Sequence, residues 1–203
     1  ALALSDVGAA YGLFVMLILT AFISIILGMG MPTSAVYIIV AMLLAPSIAD
    51  MGVPLIAAHF FVFYFGLASF LTPPVAIASY AAASLARADL KETSIAGLKL
   101  GLSAFIIPFY FIYNPEILMI GEWSEILVAG GVLAIAGILL ARSITFYSSD
   151  GLRSNLYATI DMVACIFVGT ATIWLGKENI VIYAVMAIGI GAIIYGNRWL
   201  KSE

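Results

Sequence analysis

The sequence holds one cysteine and one histidine in 203 residues, Cys165 and His59. A single thiol excludes a disulfide within the chain. One His beside one Cys leaves no basis for a zinc site built from protein ligands. Charge is equally scarce: Asp, Glu, Lys and Arg make up 9% of the residues, while 65% are hydrophobic and the mean hydropathy is +1.19. Soluble domains carry roughly 25% charged residues, so this composition excludes one and defines an integral membrane protein. Apolar stretches recur along the whole length, each of about 20 residues and able to cross a hydrocarbon core of about 30 Å. The first residues, Ala-Leu-Ala-Leu-Ser-Asp, contain no Met and no basic residue. No signal peptide is read there, and the chain is expected to be a fragment or a processed piece of a longer protein. The net charge of −3 says little, because membrane orientation follows where Lys and Arg fall.

The apolar runs are read as helices, which makes the chain an all-α, polytopic membrane protein. The first covers 7–27 and ends at Gly28-Met-Gly-Met-Pro-Thr-Ser34. A second, 35–45, is expected to stop at Pro46, before a loop with Asp50, Gly52 and Pro54. A third, 55–71, ends at Thr72-Pro73-Pro74, and the following stretch 75–86 is too short to span alone. The densest charge cluster follows, with Arg87, Asp89, Lys91, Glu92 and Lys99. Segments 95–113, 126–146, 155–175 and 180–197 are expected full spans. A mild shift in composition near 114 divides the chain into a functional core, 1–113, and an accessory membrane region, 114–203.

Basic residues set an orientation. Arg87, Lys91 and Lys99, then Arg142 and Arg153, then Arg198 and Lys201 fall on one side, which the positive-inside rule makes cytoplasmic. The stretch 114–125, with Glu116, Glu122 and Glu125, is expected outside, and so is 46–54. Runs 7–27 and 35–45 fit either two full spans or a re-entrant hairpin entering from outside. The short second arm, which rises about 16 Å, favours the hairpin.

The two breaks are the candidate site. Freed backbone groups in hydrocarbon cost several kcal/mol each unless satisfied, so interrupted membrane helices belong mainly where a cavity or an ion is served, and a pair of them points to a transport site. Gly28 and Gly30 permit a tight turn, and Pro32 has no N–H. Thr33 and Ser34 add hydroxyls and are placed to cap the next helix. Hairpin carbonyls and hydroxyls are hard-oxygen ligands suited to an alkali cation, while a new helix N-terminus favours an anion. At the second break, Pro73 and Pro74 donate nothing, so the carbonyls of Ser69, Phe70 and Leu71 are expected to lose helical partners. Thr72 adds a hydroxyl, and Pro74 is placed to open the following helix. Ser79, Tyr80 and Ser84 lie on that short helix, where a Ser either faces a cavity or bonds its own backbone. Against these readings stand plain turns between separate helices.

Other residues read more simply. His59 is expected to be an interfacial histidine with a satisfied hydrogen bond. Asp161 is expected to reach the cytoplasmic interface, and Cys165 to fill apolar space. Phe60, Phe61, Phe63, Tyr64 and Phe65 are expected against lipid or neighbouring helices, and Trp123, Trp174 and Trp199 near span ends.

In order, Gly28-Met-Gly-Met-Pro-Thr-Ser34, Leu44-Ala-Pro46, Phe65-Gly-Leu-Ala-Ser-Phe-Leu-Thr-Pro-Pro-Val-Ala76 and Ala81-Ala-Ala83 resemble the large membrane subunit of TRAP transporters, and more closely the fused permease paired with TAXI-class binding proteins. The resemblance covers about 10–113. It implies half of an inverted-repeat, elevator-type fold with a re-entrant hairpin and a broken helix. It also implies sodium-coupled import of an organic anion, typically a carboxylate, delivered by a periplasmic binding protein across a bacterial or archaeal inner membrane. Sodium is the coupling ion implied, not a prosthetic group. Carried over, Gly28, Gly30, Thr33, Ser69, Thr72 and Pro73 would hold sodium, and Pro32, Ser34, Pro74 and Ser79 would face the substrate. The first inverted repeat is absent, so the missing N-terminal permease half is an expected partner, beside membrane lipid. No nucleic-acid partner and no catalytic residue are expected. Two other classes stand beside this one. A lipid-modifying membrane enzyme would want clustered His, Asp or Glu at the interface, whereas the charges at 87–99 mix signs. A non-catalytic scaffold or assembly subunit would make both breaks mere loops.

Overall fold

The run from Leu13 to Leu27 contains no proline and no charge, and it forms helix α1, Leu13–Gly28. The computed structural model describes residues 6, 8 and 11–147, and among them all regular structure is helical. The expected spans 155–175 and 180–197, with Asp161 and Cys165, lie outside the described residues. The chain divides into two compact units, Ala1–Leu118 and Met119–Glu203.

After a turn at Met29–Pro32, α2 covers Thr33–Ala49. This corrects the expected stop at Pro46. Proline removes a backbone donor and disfavours a helix interior by about 3 kcal/mol or more. Here Leu44 and Ala45 before it, and Ser47 and Ile48 after it, are all buried. Packing on both sides of the proline outweighs the lost hydrogen bond, and Asp50 N–H closes the last turn on the Pro46 carbonyl at 2.9 Å. The arm therefore rises about 25 Å, and the length argument for a half-bilayer second arm no longer holds.

Helix α3, Leu55–Ala68, is the centre of the first unit and packs against α1, α2 and α6. Its buried face carries Ala57, Ala58, Phe61, Val62 and Phe65. These meet Met16, Leu17 and Ala21 of α1, and Val36, Val40, Ala41 and Leu44 of α2, in one core. Small residues on α3 allow close helix approach, the usual means of packing where lipid is as apolar as the core. Aromatic rings add the link to α6, Leu102–Tyr113: Phe61 lies 4.9 Å from Phe65 and 5.3 Å from Phe109 between ring centroids. Bulky side chains also point outward, with Phe14, Phe22, Ile26, Ile38 and Met42 exposed. Helices that are apolar on every side need lipid or further protein around them.

Beyond the Thr-Pro-Pro break, α4 covers Ile77–Ala86 and packs on α5, Leu90–Leu100. The α5 start is written in local chemistry. The Asp89 side chain accepts from Glu92 N–H at 3.0 Å, and Thr93 Oγ1 donates to the Asp89 carbonyl at 2.7 Å. From Leu90 to Tyr113, α5 and α6 give an apolar stretch of 24 residues, long enough to cross a membrane. A 3₁₀ turn, Pro115–Leu118, then packs on α6 and α3. Glu116 within it is buried, which departs from an acidic loop open to water.

In the second unit, α7 covers Trp123–Tyr147. Its first turn is capped by Glu125, whose carboxylate accepts from Glu122 N–H at 3.3 Å. Trp123 is exposed at its start.

Candidate functional site where two helix breaks meet

The helices that end at the two breaks each carry a glycine in the last turn, Gly28 in α1 and Gly66 in α3, and that is what allows them to meet. A Cβ added to Gly28 would come within 2.7 Å of Ser69 Oγ and 2.8 Å of the Gly66 carbonyl oxygen. The C-terminal ends of α1 and α3 therefore touch, so the two helices run in the same direction and α2 runs back. On α3, a Cβ added to Gly66 would come within 2.8 Å of Val36 Cγ1, in the first turn of α2. The end of α3 is thus set between both arms of the α1–α2 turn.

The turn itself follows from its residues. Gly30 sits at φ +77, a conformation that glycine takes without strain. Pro32 is the residue before α2, with φ −60 and ψ 146. Thr33 is already the first helical residue, and no side chain caps α2, which corrects the expected capping by Thr33 or Ser34. The first intrahelical bond is Val36 N–H to the Pro32 carbonyl at 3.0 Å. The N–H groups of Thr33, Ser34 and Ala35 thus have no acceptor within the helix, and Thr33 and Ser34 are exposed.

At the second break the hydroxyl protons are already used. Ser69 Oγ donates to the Gly66 carbonyl at 2.6 Å, and Thr72 Oγ1 donates to the Ala68 carbonyl at 2.7 Å. A hydroxyl whose proton is committed in this way offers outward only lone pairs, which suit a cation. The expected loss of carbonyl partners is only partly met. Ser69 C=O accepts from Thr72 N–H at 3.3 Å, and Phe70 C=O accepts from Ala78 N–H of α4 at 3.1 Å. The Leu71 carbonyl has no hydrogen-bond partner among the described residues. Nor does Pro74 open α4: the Pro73–Pro74 peptide is cis, and the helix begins at Ile77 after Ala76 in the left-handed region. Pro73 and Pro74 are exposed, and Thr72 is half-buried.

The structure thus brings Gly28 and Ser69 into contact, with Thr72 one turn beyond and Gly30, Pro32, Thr33, Ser34, Pro73 and Pro74 on the flanking turns. Ser79 stands apart. It is buried with no partner for its hydroxyl among the described residues, and it faces α5, where a Cβ on Gly97 would come within 3.2 Å of Ser79 Oγ. A Cβ on Gly101 would likewise come within 3.0 Å of Leu71 Cδ1, so the α5–α6 junction backs the second break.

Gly66 and Val36 escaped the sequence reading. The available signal was the pair of small residues Gly66 and Ser69, one helical turn apart and just before the prolines. A second missed feature is the buried polar pair in α1, where Ser24 Oγ donates to the Thr20 carbonyl at 2.7 Å. Separately, a cavity of about 650 Å³ is lined by Tyr37, Leu55, Ile56, His59, Phe60 and Phe63. Its polar groups satisfy each other, Tyr37 OH lying 3.1 Å from His59 Nδ1. That matches the satisfied histidine expected at this position. Among the described residues, no three His, Cys, Asp or Glu side chains converge to hold a metal.

Described residues that are helical throughout their regular structure, apolar on the outside and carry two touching helix breaks have the features of a membrane transport component. Residues 2–126 match the family described as the tripartite ATP-independent periplasmic transporter, DctM component, and the chain belongs to that family. This is the large permease component of TRAP transporters, membrane proteins that work with periplasmic binding proteins. No curated protein and no solved structure is significantly similar to the chain.

Proposed function

We propose that this chain forms the second half of a sodium-coupled permease core that imports an organic anion, a carboxylate, delivered by a periplasmic binding protein. The contact of Gly28 with Gly66 and Ser69 carries the reading. Helix α3 rises about 21 Å and α4 about 15 Å, so neither crosses a core of about 30 Å, whereas the two together do. The Thr72–Pro74 break then falls inside the membrane, and the α1–α2 turn that touches α3 lies at the same depth. This supports a re-entrant hairpin entering from outside and a broken helix facing it, within a multi-pass protein of the inner membrane.

The roles divide by electrostatics. Thr72 Oγ1, the carbonyls of Leu71 and Pro73, and the turn at Gly28–Thr33 present oxygen lone pairs beside two helix C-termini, where partial negative charge favours sodium. The N-terminus of α2 presents the free N–H groups of Thr33 and Ser34, which favour a carboxylate. Pro32 and Pro74 shape the approach to it. Ser69 supports this arrangement from the Gly28 contact, and Ser79 contributes from the α4–α5 face. An elevator movement of this half against a scaffold remains part of the proposal.

The test is uptake by the complete permease with its binding protein, in proteoliposomes, with and without a sodium gradient. Sodium-dependent uptake that falls sharply in the Thr33→Val, Thr72→Val double variant is the expected result. Undiminished uptake by that variant overturns the site.

A further inference from the structure

We infer that Gly66 is the positioning residue of this site: its missing side chain sets the spacing between the two breaks and thereby the sodium affinity. The inference rests on the sodium-coupled reading above. Gly66 takes part in three contacts. Its carbonyl accepts the Ser69 hydroxyl at 2.6 Å. The same oxygen lies 2.8 Å from the point where a Gly28 side chain would begin, and its own missing Cβ would lie 2.8 Å from Val36 Cγ1. One residue of α3 therefore gauges the distance to the end of α1 and to the start of α2.

Local propensity argues against a glycine here. Gly66 lies within α3 with no left-handed φ, where alanine is the better helix former. Close approach is the remaining reason for it. Val36 is buried and β-branched, so its side chain has few alternative rotamers to yield with. An added methyl must push α2 and α3 apart. Thr72 lies four residues beyond Ala68, the end of α3, and Thr33 is the first residue of α2, so that wedge lengthens the span between the two breaks. Groups that hold ligands in place tune metal affinity, so that change in span is felt at the cation.

The experiment pairs Gly66→Ala with Val36→Ala in the complete permease. Gly66→Ala is expected to raise the sodium concentration for half-maximal uptake about ten-fold, a size typical of residues that orient metal ligands. The maximal rate at saturating sodium is expected to change less. Val36→Ala alone is expected to stay near wild type. Val36→Ala combined with Gly66→Ala removes the clashing methyl and returns the sodium midpoint to within about two-fold of wild type, because the two sites are in contact and couple. An unchanged midpoint in Gly66→Ala, or a loss that Val36→Ala leaves unrecovered, overturns the inference. A shifted melting temperature with an unshifted midpoint also overturns it, leaving Gly66 a packing residue only. The sodium reading itself fails on a different observation, wild-type uptake indifferent to sodium. In that event the substrate midpoint takes the place of the sodium midpoint, and Val36→Ala must restore it for the positioning role to stand.

Discussion

Gly28, the last residue of α1, packs directly on Ser69, just past the end of α3, with 2.7 Å between Ser69 Oγ and the place a Gly28 Cβ would occupy. Gly28→Ala puts a methyl group against that hydroxyl and against the Gly66 carbonyl, which is backbone and has little room to withdraw. Overpacking of this kind costs about 1–3 kcal/mol. We expect Gly28→Ala to lower the melting temperature of the detergent-solubilised protein and to reduce uptake together. Unlike Gly66→Ala, it is not expected to be rescued by Val36→Ala, since Val36 is not the group it strikes.

Gly30→Ala isolates backbone strain from crowding. Nothing lies within 4 Å of an added Cβ there, but the residue sits at φ +77. The left-handed region costs an L-residue about 1–2 kcal/mol. Gly30→Asn, which tolerates that region better, is expected to recover part of the loss. Equal melting temperatures for the Ala and Asn variants would sink the strain account.

The breaks themselves were legible because Pro32, Pro73 and Pro74 have no N–H and glycines flank the first break, and these are properties of single residues. Pro46 misled by the same rule. Its cost is local, whereas the burial of Leu44, Ala45, Ser47 and Ile48 that overrides it comes from packing against other helices. The capping expected of Thr33 failed for a related reason: a hydroxyl in the right register does not cap when Pro32 already holds the position before the helix. What no single sequence could display is that Gly28 and Gly66 meet. That contact depends on which faces of α1 and α3 turn toward each other, and nearly uniform apolarity hides the buried face of each helix. The satisfied state of His59 was inferable from its place near a helix end, but its partner Tyr37 was not.

Phe61 tests the core that holds the breaks in place. It is fully buried, with rings of Phe65 and Phe109 at 4.9 and 5.3 Å. In a membrane the transfer part of a large-to-small change is small, because lipid is as apolar as the core. The cavity part remains, and we expect Phe61→Ala to cost about 2–3 kcal/mol. Phe60→Ala, at a partly exposed neighbour, is expected to cost less than about 1 kcal/mol. Unfolding by sodium dodecyl sulfate in mixed micelles measures both. Similar costs for the two would mean that α3 presents a different face to the core.

Thr72 gives the cleanest separation of fold from function. Its Oγ1 donates to the Ala68 carbonyl at 2.7 Å, but that carbonyl also accepts from Leu71 N–H at 3.0 Å and Thr72 N–H at 3.1 Å. Thr72→Val keeps the shape, removes the hydroxyl and leaves no orphaned acceptor behind. The stability cost is therefore expected to stay within about 1 kcal/mol, the net worth of one hydrogen bond. If Thr72 is the sodium ligand proposed above, the loss of its oxygen is not cushioned in this way. We expect Thr72→Val to melt close to wild type while its sodium midpoint rises about ten-fold, and Thr72→Ser, which keeps the oxygen, to stay near wild type in both. If Val and Ser shift the midpoint equally, the γ-methyl and not the oxygen matters at this position, and Thr72 is a packing residue at the break instead of a sodium ligand.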